Sequence, residues 1–113
     1  MSAGYLELFI EQGEDFNIDI TLDSINGNTY SIVGSNVKSE IRKSHWSANS
    51  VASFNATVKD GPLGIINLSL TANTTQNLPY GRYVYDVFLT NSGHTRSKII
   101  GGIIYIDPSS TKI

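Results

Sequence analysis

The sequence predicts an all-β protein: an antiparallel, immunoglobulin-like β-sandwich of about seven to eight strands, in one domain over residues 1–113. Apolar and polar residues alternate along most of the chain, which is the period of a half-buried strand. Turn signals separate the alternating segments at intervals of roughly 8–12 residues, as in sandwiches. No window has an amphipathic helical pattern of useful length. Closure into a barrel is the alternative architecture.

The first half of the chain contains four predicted strands. They cover residues 5–11, 15–23, 29–33 and 37–43. The clearest is the second, in which Phe16, Ile18, Ile20 and Leu22 alternate with polar residues. Gly13 fits a tight connection before it, and Asn26-Gly27 is a strong hairpin signal because both residues tolerate positive φ.

The second half contains four more predicted strands. They cover residues 51–59, 64–71, 82–90 and about 96–106. Residues 44–50 and 72–77 are polar or without period and are predicted to be loops. Gly101-Gly102 indicates a bulge or kink in the last strand. That strand is apolar on both sides of its alternation, so we expect it to be central in its sheet or covered by a partner.

Composition excludes several classes of function. The chain of 113 residues has a net charge of −2 and no cysteine, with 23 Ser and Thr and 10 Asn. The absence of a basic surplus argues against nucleic-acid binding. Without cysteine there is no disulfide, thiolate metal site or thiol nucleophile. We expect no membrane span, and Met1-Ser2-Ala3-Gly4 lacks the features of a signal peptide.

Titratable residues form no recognisable catalytic, cofactor or metal site. Asp19 and Asp23 share a strand face but lie about 13 Å apart along the strand, so they cannot hold one ion together. His45 and His94 lie in predicted loops without a partner at ligand spacing. No serine has the context of a nucleophile elbow, and no glycine-rich loop precedes a helix. The sequence therefore predicts a protein that is not an enzyme and needs no cofactor.

Aromatic residues give two local predictions. Trp46 in loop 44–50 could cap the core edge, anchor an interface or stack on a sugar. If loops 44–50 and 72–77 share one end of the sandwich, that end is the candidate interaction surface, with His45, Trp46 and Tyr80. The segment containing Leu78, Gly81 and Tyr83 has the pattern of a structural tyrosine corner, in which a tyrosine hydroxyl bonds upstream backbone.

Several segments, in order along nearly the whole chain, resemble the N-terminal domains of bacteriophage baseplate upper proteins and related long-tail-fibre sandwich domains. The best runs from Leu78 to Val87, with its Leu-Pro, Gly, Tyr and Tyr-Asp. Gln12-Gly13-Glu14-Asp15-Phe16 is similar to the family's opening turn, with Glu14 inserted between its Gly and Asp. Ile41-Arg42 is similar to a strand ending in arginine, and Gly101-Gly102-Ile103-Ile104 to the final strand.

This resemblance implies a virion structural protein of the tail, baseplate or fibre attachment. Its partners would be other phage structural proteins or further copies of itself, and it would assemble into the virion in the host cytoplasm. A carbohydrate-binding sandwich module using Trp46 and Tyr80 is one alternative, and a head-decoration protein is another. An enzyme would require His45 or His94 to meet an acidic partner across a pocket.

Overall fold

Two β-sheets form the protein in a computed structural model that describes residues 4–22 and 32–110. Nine strands occur in this part of the chain, and the predicted all-β sandwich is confirmed. Six strands form the larger sheet: β1 (Gly4–Tyr5), β2 (Leu8–Glu11), β4 (Asn36–Arg42), β5 (Ala52–Ser53), β8 (Gly81–Thr90) and β9 (Arg96–Asp107). Three form the smaller sheet: β3 (Phe16–Thr21), β6 (Asn55–Asp60) and β7 (Ile65–Leu70).

The strand order is that of an immunoglobulin-type sandwich. The smaller sheet has the order β3-β7-β6, and the larger has β1-β9-β8-β4-β5, with β2 also on β9. These are the B-E-D and G-F-C groupings of that fold. Neighbouring strands are antiparallel except that β1 and β2 run parallel to β9. Between β2 and β3 the chain crosses from the larger to the smaller sheet through a turn in which Gly13 has φ 85°.

Apolar side chains from both inner faces form one core. The buried members are Leu8, Ile10, Ile32, Ile41, Phe54, Ile66, Leu68, Leu70, Leu78, Tyr83, Tyr85, Val87, Leu89, Ile100, Ile104 and Ile106. The buried residues occupy alternate positions along β2, β4, β7, β8 and β9, as the period of two predicts. Half-buried residues alternate in the same way along β3. Each fully buried side chain of this size contributes about 1.5–3 kcal/mol relative to an exposed one.

The last strand is interior to its sheet, as predicted. β9 lies between β8 and the pair β1 and β2. Its bulge, however, is not at the glycine pair: Val87 lies opposite Ile100 and Phe88 opposite Lys98, which leaves Ile99 as the extra residue. Gly102 has a different role, because a Cβ there would overlap the carbonyl oxygen of Leu6.

The prediction of a loop over residues 72–77 is wrong, because this segment is the helix α1 (Ala72–Asn77). The Thr71 side chain caps its first turn by accepting from the Thr74 amide at 3.3 Å. The buried hydroxyl of Thr75 donates to the Glu14 carbonyl at 2.8 Å and accepts from the Gly13 amide at 3.1 Å. Capping and hydrogen bonds to distant backbone thus stabilise a helix too short and too polar to show a hydrophobic period.

Part of the predicted strand pattern lies outside the described residues. This applies to the hairpin signal Asn26-Gly27, to Asp23 and to residues 29–31. Ile32 and Val33, which were predicted to end a strand, are not in one: Ile32 is buried and Val33 begins a turn. The Ile32 amide donates to the Gly61 carbonyl at 2.9 Å, so this segment is held by the turn between β6 and β7.

Candidate functional site

The outer face of the smaller sheet is polar, and its side chains form hydrogen bonds with one another. The Asn67 side-chain amide donates to Asn17 Oδ1 at 2.6 Å and to Asp19 Oδ1 at 2.8 Å. Lys59 Nζ lies 2.5 Å from Asp19 Oδ2, and this hydrogen bond, with that of Asn67, lowers the pKa of Asp19. Asp19 therefore belongs to a solvated strand face and is paired with a cation of the same sheet.

The outer face of the larger sheet is different because apolar side chains of β1, β2 and β9 lie on it beside charged residues of β8 and β4. We call this surface the sheet face and define it by Tyr5, Phe9, Val84, Ile103 and Tyr105. Phe9 and Tyr105 are register partners, and their rings stack with centroids 5.3 Å apart. Phe9 is 66% exposed and Tyr5 is 65% exposed. The other three residues are half-buried. Exposed apolar groups that lie together can mark interaction surfaces on soluble domains.

Two open depressions lie on this same side of the molecule. One of about 420 Å³ is lined by residues that include Tyr5, His45, Arg82, Val84, Lys98 and Ile103. The other, of about 490 Å³, is lined by residues that include Lys38, Glu40, Arg42, Asp86, Phe88 and Arg96. Both are broad and shallow rather than enclosed, so they are better suited to contact with the surface of another macromolecule than to binding a small ligand.

The loops that carry the predicted interaction residues share one end of the sandwich. Arg42 at the end of β4 lies opposite Val84 near the start of β8. Just beyond it, Lys43 Nζ donates to the Arg82 carbonyl at 3.3 Å and sits 4.6 Å from the centre of the Tyr83 ring. Loop 44–50 and the connection from α1 to β8 therefore meet at this end. We call His45, Trp46 and Tyr80 the loop end.

Trp46 points into solvent. It is 93% exposed, Tyr80 is 69% exposed, and His45 is also exposed. Capping of the core edge by Trp46 is thus overturned, and an interface or a sugar platform remains. The loop itself is held: the Ser47 amide donates to the Ser44 carbonyl at 3.1 Å, and Arg42 Nη1 donates to the Ser47 carbonyl at 3.1 Å.

Two buried tyrosines fasten β8 to backbone elsewhere. Tyr83 Oη donates to the Pro79 carbonyl at 2.6 Å, four residues upstream. Leu78 is buried and Gly81 has φ 138°, so the chain turns sharply into β8 at this point. Tyr85 Oη donates to the Leu6 carbonyl at 2.7 Å. Burial raises the pKa of Tyr83, and burial followed by the charge of Tyr5 raises the pKa of Tyr85 to about 12.

The histidines are not brought together. His94 has φ 65° in the connection between β8 and β9, at the opposite end from His45. His45 shares a small depression with Glu40 and Asp86, but its side chain has no hydrogen bond to another described residue. Glu40 is already 2.7 Å from Arg42 Nη2. Within residues 4–22 and 32–110, no three His, Asp or Glu side chains are grouped to hold a metal ion.

Comparison with known proteins gives no assignment. No protein-family model matches the chain, and no curated protein matches it. In the described part of the chain, no helix has the length and apolar character to cross a membrane.

Sequence reasoning missed the sheet face. Within residues 5–11, Leu6, Leu8 and Ile10 alternate and predict the buried side, and Phe9 lies on the opposite side of the strand. Ile103 and Tyr105 alternate with buried Ile104 and so also face outward. The sequence does contain a signal, because Phe9 and Tyr105 are apolar residues on the solvent-facing side of their strands. The parallel pairing of β2 with β9 places these two residues side by side.

Proposed function

We propose that this chain is a non-enzymatic structural module of a bacteriophage virion, in the tail, baseplate or fibre attachment. In this proposal the loop end binds a neighbouring virion protein. The observation that carries the proposal is the 93% exposure of Trp46 at an end that also presents Tyr80. The phage context rests on the sequence resemblance, above all on the segment from Leu78 to Val87.

Exposed aromatic side chains on a held loop suit an assembly contact. Tryptophan and tyrosine dominate binding energy at protein interfaces because they bury large areas with few rotatable bonds. The hydrogen bonds of Ser44, Ser47 and Arg42 fix the loop before binding, which lowers the entropy lost on association. A neighbouring protein that covers Trp46 would remove its ring from water, and this supplies the driving force.

Particle incorporation tests the proposal. We expect immunogold label for the wild-type chain at the tail or baseplate of particles from its source. W46A/Y80A should lose that label by about tenfold or more, since truncation of two interface aromatics costs at least about 2 kcal/mol. The matched control is Leu63→Ala, which removes a side chain 51% exposed in the turn before β7, at the opposite end.

The location of the label separates the alternatives. Label on the head would assign the chain to decoration of the capsid. Absence of particle label for the wild-type chain would contradict the virion proposal. Equal labelling by W46A/Y80A and by the wild-type chain would contradict the role of the loop end. Circular dichroism melts of each variant check that the sandwich is intact.

Carbohydrate binding is the second candidate, and the exposure of Trp46 favours it too. A sugar platform presents an aromatic face to water beside polar groups, and His45 is next to Trp46 in the same loop. We expect a binding profile on a glycan array that Trp46→Ala abolishes and Trp46→Phe retains in weaker form. A wild-type chain that binds no glycan on a broad array would exclude this function.

A further inference from the structure

The strand β2 at the margin of the larger sheet has one unpaired side. The amides of Leu6 and Gln12 donate to carbonyl oxygens of β9 at 3.1 and 3.0 Å. Because alternate residues of a strand bond to the same neighbour, the even-numbered residues from 6 to 12 pair with β9. The backbone groups of Glu7, Phe9 and Glu11 point the other way, where no strand of the described chain pairs with β2. We call these three residues the free edge.

The backbone of the free edge is a template for a further strand. Glu7 and Phe9 each present an amide and a carbonyl, and Glu11 presents its amide. The Glu11 carbonyl accepts from the Glu14 amide at 3.3 Å. An added antiparallel strand of five residues would therefore form hydrogen-bonded pairs with all three residues of the free edge.

The side chains of the free edge are two carboxylates with an aromatic ring between them, and all three are exposed. The Phe9 ring is held by its stacking on Tyr105. The Glu7 carboxylate accepts from the hydroxyls of Tyr5 and Tyr105 at 3.1 and 3.3 Å. Side chains two residues apart lie on one side of a strand, so an added strand meets a carboxylate, a ring and a carboxylate in that order.

The negative charge at this edge is not neutralised by the described part of the chain. Neither Glu7 nor Glu11 lies within ion-pair distance of a basic side chain there. Asp107 on β9 lies directly opposite Glu11. Partial desolvation of Glu11, followed by the charges of Asp107 and Glu14, raises its pKa. Arg82 is on β8, so an added strand would be three strand spacings, about 14 Å, away from it and beyond the screening length of about 8 Å.

We propose that the free edge binds an extended basic segment of another protein as an added antiparallel strand. Every second residue of this segment is, in order, basic, apolar and basic, so that two Lys or Arg side chains pair with Glu7 and Glu11 and the apolar one packs on Phe9. Cross-strand pairs of opposite charge, and of an aromatic with an aliphatic residue, stabilise a sheet. The backbone hydrogen bonds supply further affinity. The free edge contains no residue of the loop end, so this inference does not depend on the proposed function.

The same side chains exclude a second copy of this chain as the added strand. An antiparallel pair of free edges that sets Phe9 against Phe9 also sets Glu7 of each copy against Glu11 of the other. Like charges directly opposite each other destabilise a sheet. The two carboxylates thus reject self-pairing and favour a basic strand, and a binding site gains specificity from both effects.

Amide hydrogen exchange of the full chain with a peptide tests the proposal. The probe is the blocked peptide TKTVTKT, in which lysine, valine and lysine share one side of a strand. At ten times its half-saturating concentration, we expect the Phe9 amide to exchange about tenfold more slowly, because about nine-tenths of the edges are covered. The peptide TETVTET should cause no slowing. N-methylation of the valine in TKTVTKT should abolish the effect, since the valine amide donates to the Phe9 carbonyl.

Charge variants separate strand addition from general attraction. E7Q/E11Q should weaken binding of TKTVTKT by about fivefold or more, because two cross-strand charge pairs are lost. N55K/T57K makes the same change in net charge on the smaller sheet and should bind like the wild-type chain. E7K/E11K should reject TKTVTKT and bind TETVTET. All these positions are exposed, and circular dichroism melts check that the sandwich is intact.

Three results would each overturn the proposal. One is an unchanged Phe9 amide at TKTVTKT concentrations up to about 1 mM, which would leave Glu7 and Glu11 as guards against edge pairing. Another is slowing that grows with protein concentration without peptide, which would assign the edge to a second copy. The third is an E7K/E11K variant that does not bind TETVTET.

Discussion

Gly102→Ala is expected to lower the free energy of unfolding by about 3 kcal/mol or more, at the upper end of the cost of overpacking. The added Cβ would overlap the carbonyl oxygen of Leu6 and lie 2.9 Å from its carbonyl carbon and 3.2 Å from Tyr85 Cε1. Backbone rather than a flexible side chain must therefore move. The segment between β1 and β2 would shift away from β9, and the hydrogen bond from Tyr85 to Leu6 would be lost with it.

The neighbouring glycine provides the control. A Cβ at Gly101 would meet Lys98 Cε at 3.1 Å, and that side chain is exposed and can rotate away. Neither glycine has positive φ, so alanine is not excluded at either position by backbone conformation. Denaturant unfolding should show Gly101→Ala within about 1 kcal/mol of wild type. Equal losses for the two variants would show that close approach to Leu6 is not the reason for glycine.

The alternation of apolar residues was sufficient to predict the sandwich, because each strand shows one dry and one wet side by itself. The glycine pair was also visible in the sequence. Its purpose was not, because Leu6, the group that needs the space at Gly102, is distant in sequence and meets it only through the parallel pairing of the first and last strands. The helix α1 was missed for a related reason: Thr75 is fixed by Gly13 and Glu14, which lie far upstream.

The candidate surfaces show the same division between what the local sequence predicts and what depends on distant contacts. The position of Trp46 in a loop follows from the local sequence, but the hydrogen bonds among Ser44, Ser47 and Arg42 that hold this loop appear only in the folded chain. From Ile99 to Ile106 every residue of β9 is apolar or glycine, which predicts an interior strand, and β9 is interior to its sheet. The same sequence pattern is expected of a strand whose sheet is covered on both faces. In this protein the outer face of the larger sheet is not covered by another element of the described chain.

Tyr85→Phe is expected to lower the free energy of unfolding at neutral pH by about 1–3 kcal/mol, because the Leu6 carbonyl loses its donor in a half-buried site. It should also change the response to alkali. The pKa of Tyr85 is raised to about 12 from its ordinary value of 10.0, so folding favours the neutral hydroxyl. This stabilisation is complete below pH 10 and is lost as pH rises towards 12.

Unfolding measured between pH 8 and pH 12 therefore distinguishes a hydrogen bond from simple packing. The wild-type chain should lose stability above pH 10, and Tyr85→Phe should show a smaller decline, because phenylalanine has no proton to release. Burial also raises the pKa of Tyr83, so Y83F/Y85F should remove more of the decline. Tyr80→Phe removes an exposed hydroxyl and should behave like wild type. If Tyr85→Phe retained the full alkaline decline, the Tyr85 hydroxyl would not be the group that ties the first strand to the sheet, and the close approach of Leu6 to Gly102 would need another cause.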